Sequence, residues 1–400
     1  MAADHLAGRP SRAGGSIPQR TAKQGGSFAP PGADPRFSYL PSLDGWRAIA
    51  ILSVIMYHST LHTVGVLSTS WLWRFGYRGV DVFFAISGIL IASKLLEEEE
   101  ASSRISLGKF YVRRALRILP AAIVYLLVIS VLAGVRLIHV SKGEWFAALF
   151  FYRNYTSLFH IDQLAYLPWF TTHFWSLSVE EHFYLILPTL LLLTRKRARV
   201  ASLAVISCCV IAHRQLELIH HSWFTIQFHT DIRLDALTIP ALFAVLSRSE
   251  AFGRRFNSAI RKWHLVFILS FLLFVQWPDG SGPQATALAI VMPGIVLGTV
   301  LKPESFGTRL LEWSPLRWVG RISYSLYLWQ QLFFTERNLG SRPLGRLEAW
   351  PINLVLTFVL ATLSYYGIER PLVRLGHRLT RNRLISVEEN SGTHRATEAI

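Results

Sequence analysis

The sequence predicts an all-α fold: a polytopic transmembrane helix bundle of about ten spans with both termini cytoplasmic. Hydrophobic residues make up 51% of the 400-residue chain and charged residues 16%, with a mean hydropathy of +0.33, which leaves too little polar surface to coat an ordinary soluble domain. Largely apolar stretches near the ~20 residues that a bilayer crossing needs recur along most of the chain. Lysine and arginine also gather in alternate loops between those stretches, as expected where positive charge resists translocation.

Residues 1–36 have no signal-peptide core and are rich in Gly, Pro and Ser with scattered basic side chains, which predicts a disordered cytoplasmic tail. The transmembrane domain is expected over 37–376, followed by a cytoplasmic tail at 377–400. Its apolar segments fall near 45–66, 80–96, 116–138, 174–194, 200–213, 233–247, 263–277, 285–301, 318–335 and 350–368. With the N-terminus inside, the inside loops hold Lys109, Arg113, Arg114 and Arg117; Arg195 to Arg199; Arg248, Arg254, Arg255, Arg261 and Lys262; and Arg309, Arg317 and Arg321. This assignment requires WFAALFFYRNYTSLFH at 145–160 to be re-entrant or interfacial, because a further crossing there would put the 195–199 cluster outside.

The net charge of +16 and isoelectric point near 10.2 do not indicate nucleic-acid binding, since the basic residues lie between apolar segments and not along one amphipathic face. The two cysteines, Cys208 and Cys209, are adjacent in an apolar run, a spacing unsuited to zinc or to a loop-closing disulfide. The run Glu97 to Glu100 reads as a solvated face, because consecutive helical carboxylates point in different directions. No internal repeat is evident, which gives no support to pseudo-symmetric transporter halves.

The polar residues inside these apolar segments carry the chemistry. In LDGWRAIAILSVIMYHST, Arg47 and His58 are eleven residues apart, so they share a helical face and sit roughly 16 Å apart along the axis. An ionisable side chain that deep in a bilayer faces a bundle interior, a cavity or a polar partner; for His58, both a structural hydrogen bond and catalysis fit. In GVDVFFAISGILIASK, Asp81 needs a partner, and Ser87 with Gly88 suits close helix packing. FYVRRALRILP places Arg113 and Arg117 one turn apart beside Arg114, a spacing that grips phosphate or merely sets topology and lipid contacts. In HFWSLSVEEHFYLILP, His173, Ser176 and Glu180 share a face from which Glu181 and His182 diverge; the acids suit polar substrate, orientation of a histidine, or an ion-pair network. FHTDIRLDAL brings Asp231, Arg233 and Asp235 together, consistent with a saccharide site or with mutual neutralisation. His213, His220, His221 and His229 show no ligand spacing, and no metal site is expected.

In this order, LDGWRAIAILSVIMYH, GVDVFFAISGIL, FYVRRALRILP, FWSLSVEEHFYL, IRLDAL, RISYSLYLW and IERP make a specific set, and over approximately residues 37–376 the chain resembles the bacterial membrane-bound acyltransferase family 3. The resemblance implies a multi-pass protein of the bacterial cytoplasmic membrane that transfers an acyl group, acetyl foremost, from cytoplasmic acyl-CoA to a hydroxyl of an extracytoplasmic carbohydrate or glycolipid. It implies Arg47 and His58 as the basic-residue-to-histidine motif and pairs Arg113 with Arg117 as the arginine motif. Two positions depart from the pattern: Gln330 stands after YLW where many relatives have His, and His182 stands after VEE where Gln is common. The chain length after 376 leads to the expectation of a standalone transmembrane module, without the extra soluble domain of some relatives.

The resulting expectation places acyl-CoA phosphates on Arg47, Arg113 and Arg117, with His58 as base or transient acyl carrier and Glu180 or Glu181 orienting it or the sugar. Asp81, His173 and Asp235 are expected to line the acceptor side of the cavity. The competing class is a transporter for a polar lipid or sugar that uses the same buried histidine and acids as a proton relay.

Overall fold

In a membrane the backbone must satisfy its own polar groups, and long apolar runs do so as helices. The computed structural model describes residues 40–60, 75–155, 169–276, 282–334 and 343–380, and every regular element among them is helical. The expected tail at 1–36 lies outside the described residues, as do residues 381–400, and the final helix runs to Thr380, past the boundary placed at 376.

The main helices are α1 (Pro41–Thr60), α2 (Gly79–Ser102), α3 (Leu107–Gly134), α4 (Lys142–Leu149), α5 (Phe174–Leu193), α6 (Arg199–His220), α7 (Asp235–Ser247), α8 (Gly253–Val275), α9 (Gly282–Val300), α10 (Ser314–Arg321), α11 (Ser323–Phe333), α12 (Ile352–Ser364) and α13 (Arg370–Thr380). Among the described residues seven helical stretches are long and apolar enough to cross a membrane: Phe75–Ser102, Leu107–Gly134, Phe170–Leu193, Lys196–His220, Gly253–Val275, Gly282–Val300 and Ile352–Thr380. Three expected spans fall short of that criterion for separate reasons. The described part of α1 carries Asp44, Arg47 and His58, whereas α7 has 13 residues and α11 has 11. The segment expected to be re-entrant or interfacial begins with the eight-residue α4, only about 12 Å long. Ser141 caps that helix by accepting from the Glu144 amide, and residues 156–160 lie outside the described residues.

Four of these helices, α3, α5, α7 and α9, carry an internal proline, at Pro120, Pro188, Pro240 and Pro293. Neighbouring helices make such positions tolerable in an apolar surround. The most enclosed apolar windows are those of α2 and α9, each 72% buried, while those of α6 and α8 are 22% and 17% buried; the former pair forms the centre and the latter present Val205, Leu265 and Leu273 outward.

Gly88 lets α2 lie directly against α7: a Cβ there would strike the Leu237 carbonyl oxygen and the Pro240 ring. Against α1, a Cβ on Gly320 would strike the Asp44 carbonyl oxygen, so α10 seats on the first turn of that helix. Both are backbone contacts that only glycine permits.

The four glutamates at the end of α2 keep contact with solvent, Glu100 most at 56% exposed, and each also meets an arginine. Glu98 accepts from Arg113 at 2.9 Å, Glu99 takes two bonds from Arg199 at 2.6 and 2.9 Å, and Arg248 joins Glu97 at 3.2 Å to Glu100 at 2.8 Å. Their diverging directions are what allow one turn to tie α3, α6 and the end of α7 together. Three of the basic clusters read from the sequence therefore meet at one end of the bundle.

Candidate active site

A pocket opens between α1, α2, α3, α5 and α11, lined by Arg47, Phe83, Ser87, Arg114, Arg117, Ser176, Glu180, Tyr184, Ser323, Tyr324 and Tyr327 together with apolar side chains. Its charged lining is three guanidiniums against one carboxylate, which suits an anion. Arg47 shares its charge with Asp44 at 3.1 Å. Arg114 instead lies over the rings of Phe110 and Tyr184, at 5.6 and 5.2 Å.

The arginine pairing read from the sequence changes here. Arg113 does not line the pocket; it turns to Glu98, and Arg114 takes its place beside Arg117. At about 100° per residue, Arg114 and Arg117 lie some 60° apart around α3, while Arg113 lies about 100° from Arg114, beyond Arg117 by about 40°. The RxxR spacing that the resemblance implies belongs to Arg114 and Arg117 in RALR, whereas Arg113 and Arg117 are four positions apart.

Glu180 reaches the pocket and accepts from Ser87 Oγ at 3.0 Å and Tyr184 Oη at 2.9 Å. Glu181 is not in the lining, and His182 turns to Thr230, with Nδ1 to Oγ1 at 2.6 Å. Ser87 thus contributes a polar contact in addition to the packing that Gly88 permits. Ser176 Oγ and Tyr327 Oη meet at 2.6 Å on the pocket wall, and Tyr327 also donates to the His173 carbonyl at 2.9 Å. The His173 ring is 3% exposed and sits against Tyr125, Phe174 and Tyr327, and among the described residues neither ring nitrogen has a hydrogen-bond partner. A buried imidazole in that condition carries an unmet polar demand.

His58 lies outside the pocket lining. Its Nδ1 is 2.7 Å from Gln330 Oε1, and Gln330 follows the pocket residue Tyr327 by three positions on α11, about one turn. Sequence reasoning singled out Gln330 only as a departure; nothing in the sequence indicated that it meets His58, 272 residues away.

Two acids expected on the acceptor side are enclosed by arginines. Asp81 pairs with Arg233 and lies 3.8 Å from Arg78, both buried. Asp235 receives both Arg214 terminal nitrogens, at 2.9 and 2.8 Å. Neither acid lines the pocket. Asp231 is the more open member of its cluster, bonded by Tyr155 Oη at 2.6 Å and facing His213 Nε2 at 2.8 Å. Burial pushes the Asp231 carboxyl up, but the bonds from Tyr155 and His213 outweigh it and hold it below the usual carboxylate range. Burial, with Asp231 beside it, pushes the Tyr155 phenol up to about 12, and burial lowers His229. Among the described residues no group of three His, Cys, Asp or Glu side chains is placed to hold a metal ion.

A family model described as an acyltransferase domain matches residues 40–368. Over 371 residues, 85% of the chain and 56% of the relative, the sequence is 34% identical to "Putative peptidoglycan O-acetyltransferase YrhL" of Bacillus subtilis (strain 168). It is 29% identical to "Peptidoglycan O-acetyltransferase OatA" of Listeria monocytogenes serovar 1/2a (strain ATCC BAA-679 / EGD-e), covering 84% of the chain and 56% of that protein. It is 31% identical to "Putative O-acetyltransferase SACOL0978" of Staphylococcus aureus (strain COL), covering 85% and 58%. The chain thus spans 56–58% of the length of these relatives. No solved structure matches it.

Proposed function

We propose, for a chain that belongs to the acyltransferase domain family, membrane-embedded O-acetyl transfer from cytoplasmic acyl-CoA to a hydroxyl of an extracytoplasmic carbohydrate. The relatives' names make peptidoglycan the first acceptor to test. The observation that carries the reading is the pocket in which Arg47, Arg114 and Arg117 converge, with its Tyr327 wall one helical turn from the residue that holds His58. The guanidiniums grip the donor's phosphates, and the apolar side chains among them accommodate the pantetheine arm. Arg113 serves the α2–α3 tie and not the donor.

In the proposed reaction, neutral His58 takes the proton of the acceptor hydroxyl as that oxygen attacks the thioester carbonyl. The carbon–sulfur bond then breaks, the ester leaves on the sugar, and the departing thiolate recovers the proton from the His58 imidazolium. His173, whose ring packs on the wall residue Tyr327, offers a ring nitrogen to the reacting carbonyl or hydroxyl. Glu180 orients polar substrate from the opposite wall, and Glu181 has a lesser role in its field. Asp81 and Asp235 act on the site indirectly, by holding their arginines.

The decisive experiment supplies acetyl-CoA labelled in the acetyl group to proteoliposomes containing the protein and peptidoglycan fragments. Label esterified to the glycan is the expected result, and its absence in a stably inserted His58→Gln variant assigns the base. Movement of an unmodified solute without labelled ester, or near-normal turnover by His58→Gln, overturns the reading in favour of transport or a structural histidine respectively.

A further inference from the structure

An imidazole serves as a base only through the nitrogen that lacks a proton, so whatever bonds the other nitrogen decides which edge can act. At His58 that bond is to an amide. Nδ1 lies 2.7 Å from Gln330 Oε1, an atom that can only accept, so the proton of the neutral ring belongs on Nδ1 and the lone pair on Nε2. The amide is itself turned by its surroundings: Gln330 Nε2 donates to Gln331 Oε1 at 3.1 Å and points at the Tyr327 carbonyl at 3.5 Å. The opposite turn would aim the Gln330 oxygen at that main-chain acceptor.

Gln330 is fully buried, and a buried amide is costly to rearrange because its groups have no water to fall back on. It lies on the same helix as Tyr327, so the wall of the donor pocket and the residue holding the imidazole move as one body.

We propose that Gln330 is a positioning residue that holds His58 in the Nδ1-protonated tautomer and directs Nε2 as the proton acceptor. This rests on the reading of His58 as the base. The partner is a neutral amide, so it orients the ring without placing a carboxylate beside the imidazolium formed during transfer. The proton taken from the acceptor hydroxyl arrives at Nε2 and leaves from Nε2 to the thiolate, while Nδ1 keeps its own proton throughout.

The test compares Gln330→Leu, which removes the acceptor, with Gln330→Glu, which keeps a carbonyl oxygen at the same position in either protonation state. Turnover of acetyl-CoA with peptidoglycan fragments gives kcat and donor KM. Nitrogen-15 spectra of histidine-labelled protein, with the His58 signals assigned by their loss in His58→Gln, report the tautomer directly. Gln330→Leu is expected to lower kcat about tenfold or more, the factor equivalent to one lost hydrogen bond of ~1.4 kcal/mol, with donor KM within about twofold. Its His58 signal should leave the Nδ1–H pattern, and Gln330→Glu should keep both the pattern and most of the turnover. Should Gln330→Leu fail to insert, Gln330→Met keeps the unbranched shape and takes its place. Retention of the Nδ1–H pattern or of full kcat in the Leu or Met variant overturns the proposal. If His58→Gln remains active, the base reading fails, and the nitrogen spectra still decide whether Gln330 sets the tautomer.

Discussion

Arg214 and Asp235 face each other through two parallel bonds of 2.9 and 2.8 Å, with their side chains 0% and 1% exposed. The guanidinium also donates to the Ile232 carbonyl at 2.8 Å and to Thr286 Oγ1, so this pair fastens α6 to α7 and α9. Removing one partner strands the other charge where water cannot reach it.

Asp235→Ala is therefore expected to destabilise the protein by about 3–5 kcal/mol, read as a large drop in thermal unfolding midpoint in detergent together with poor insertion. Replacing both partners, Arg214→Met with Asp235→Leu, should recover most of the loss because no buried charge remains. An Asp235→Ala protein as stable as the parent that loses only acceptor turnover would instead make Asp235 a substrate contact.

The three arginines of α3 should separate in donor binding. Arg114→Ala and Arg117→Ala are each expected to weaken acetyl-CoA binding by about tenfold or more, since bonds to a charged group contribute about 1.5–3 kcal/mol. Arg113→Ala loses a partly exposed bond to Glu98 and should change binding by less than about twofold. Titration of purified variants with labelled acetyl-CoA checks this, and an Arg113 effect as large as that of Arg117 would contradict the division.

Asp231 predicts an acid dependence. Its folded-state carboxyl lies below the ordinary range, so it adds stability above the unfolded carboxyl value of about 4 and loses it as pH falls through the folded value. The unfolding midpoint of the parent should exceed that of Asp231→Asn by a steady margin at neutral pH, and the margin should close in acid. A margin that widens as pH falls would give the bonds from Tyr155 and His213 the wrong sign.

Much of this protein was legible without coordinates. Apolar runs of bilayer length demand helices whatever their neighbours, because the backbone has no other way to satisfy itself in lipid. The expense of Asp81, Arg47, His58 and Glu180 within such runs likewise marked the residues that must face inward. Hydropathy measures that cost but has no direction around the helix or across the bundle. Whether Arg113 or Arg114 enters the pocket depends on the rotation of α3 against α2 and α11, a choice of about 100° made by packing. Asp81 finds Arg233 at a separation of 152 residues and His58 finds Gln330 at 272, distances at which local periodicity carries no information. For the run Glu97 to Glu100 a single helix shows only that its carboxylates diverge; three other elements, arriving from different sides, supply the arginines that these partly exposed groups meet. The sequence by itself determined the helical class and the set of polar residues forced inward, through the cost of charge in an apolar medium. Only the tertiary structure decided which of them meet, because a partner in a helix bundle is chosen by the rotation and depth at which each helix packs.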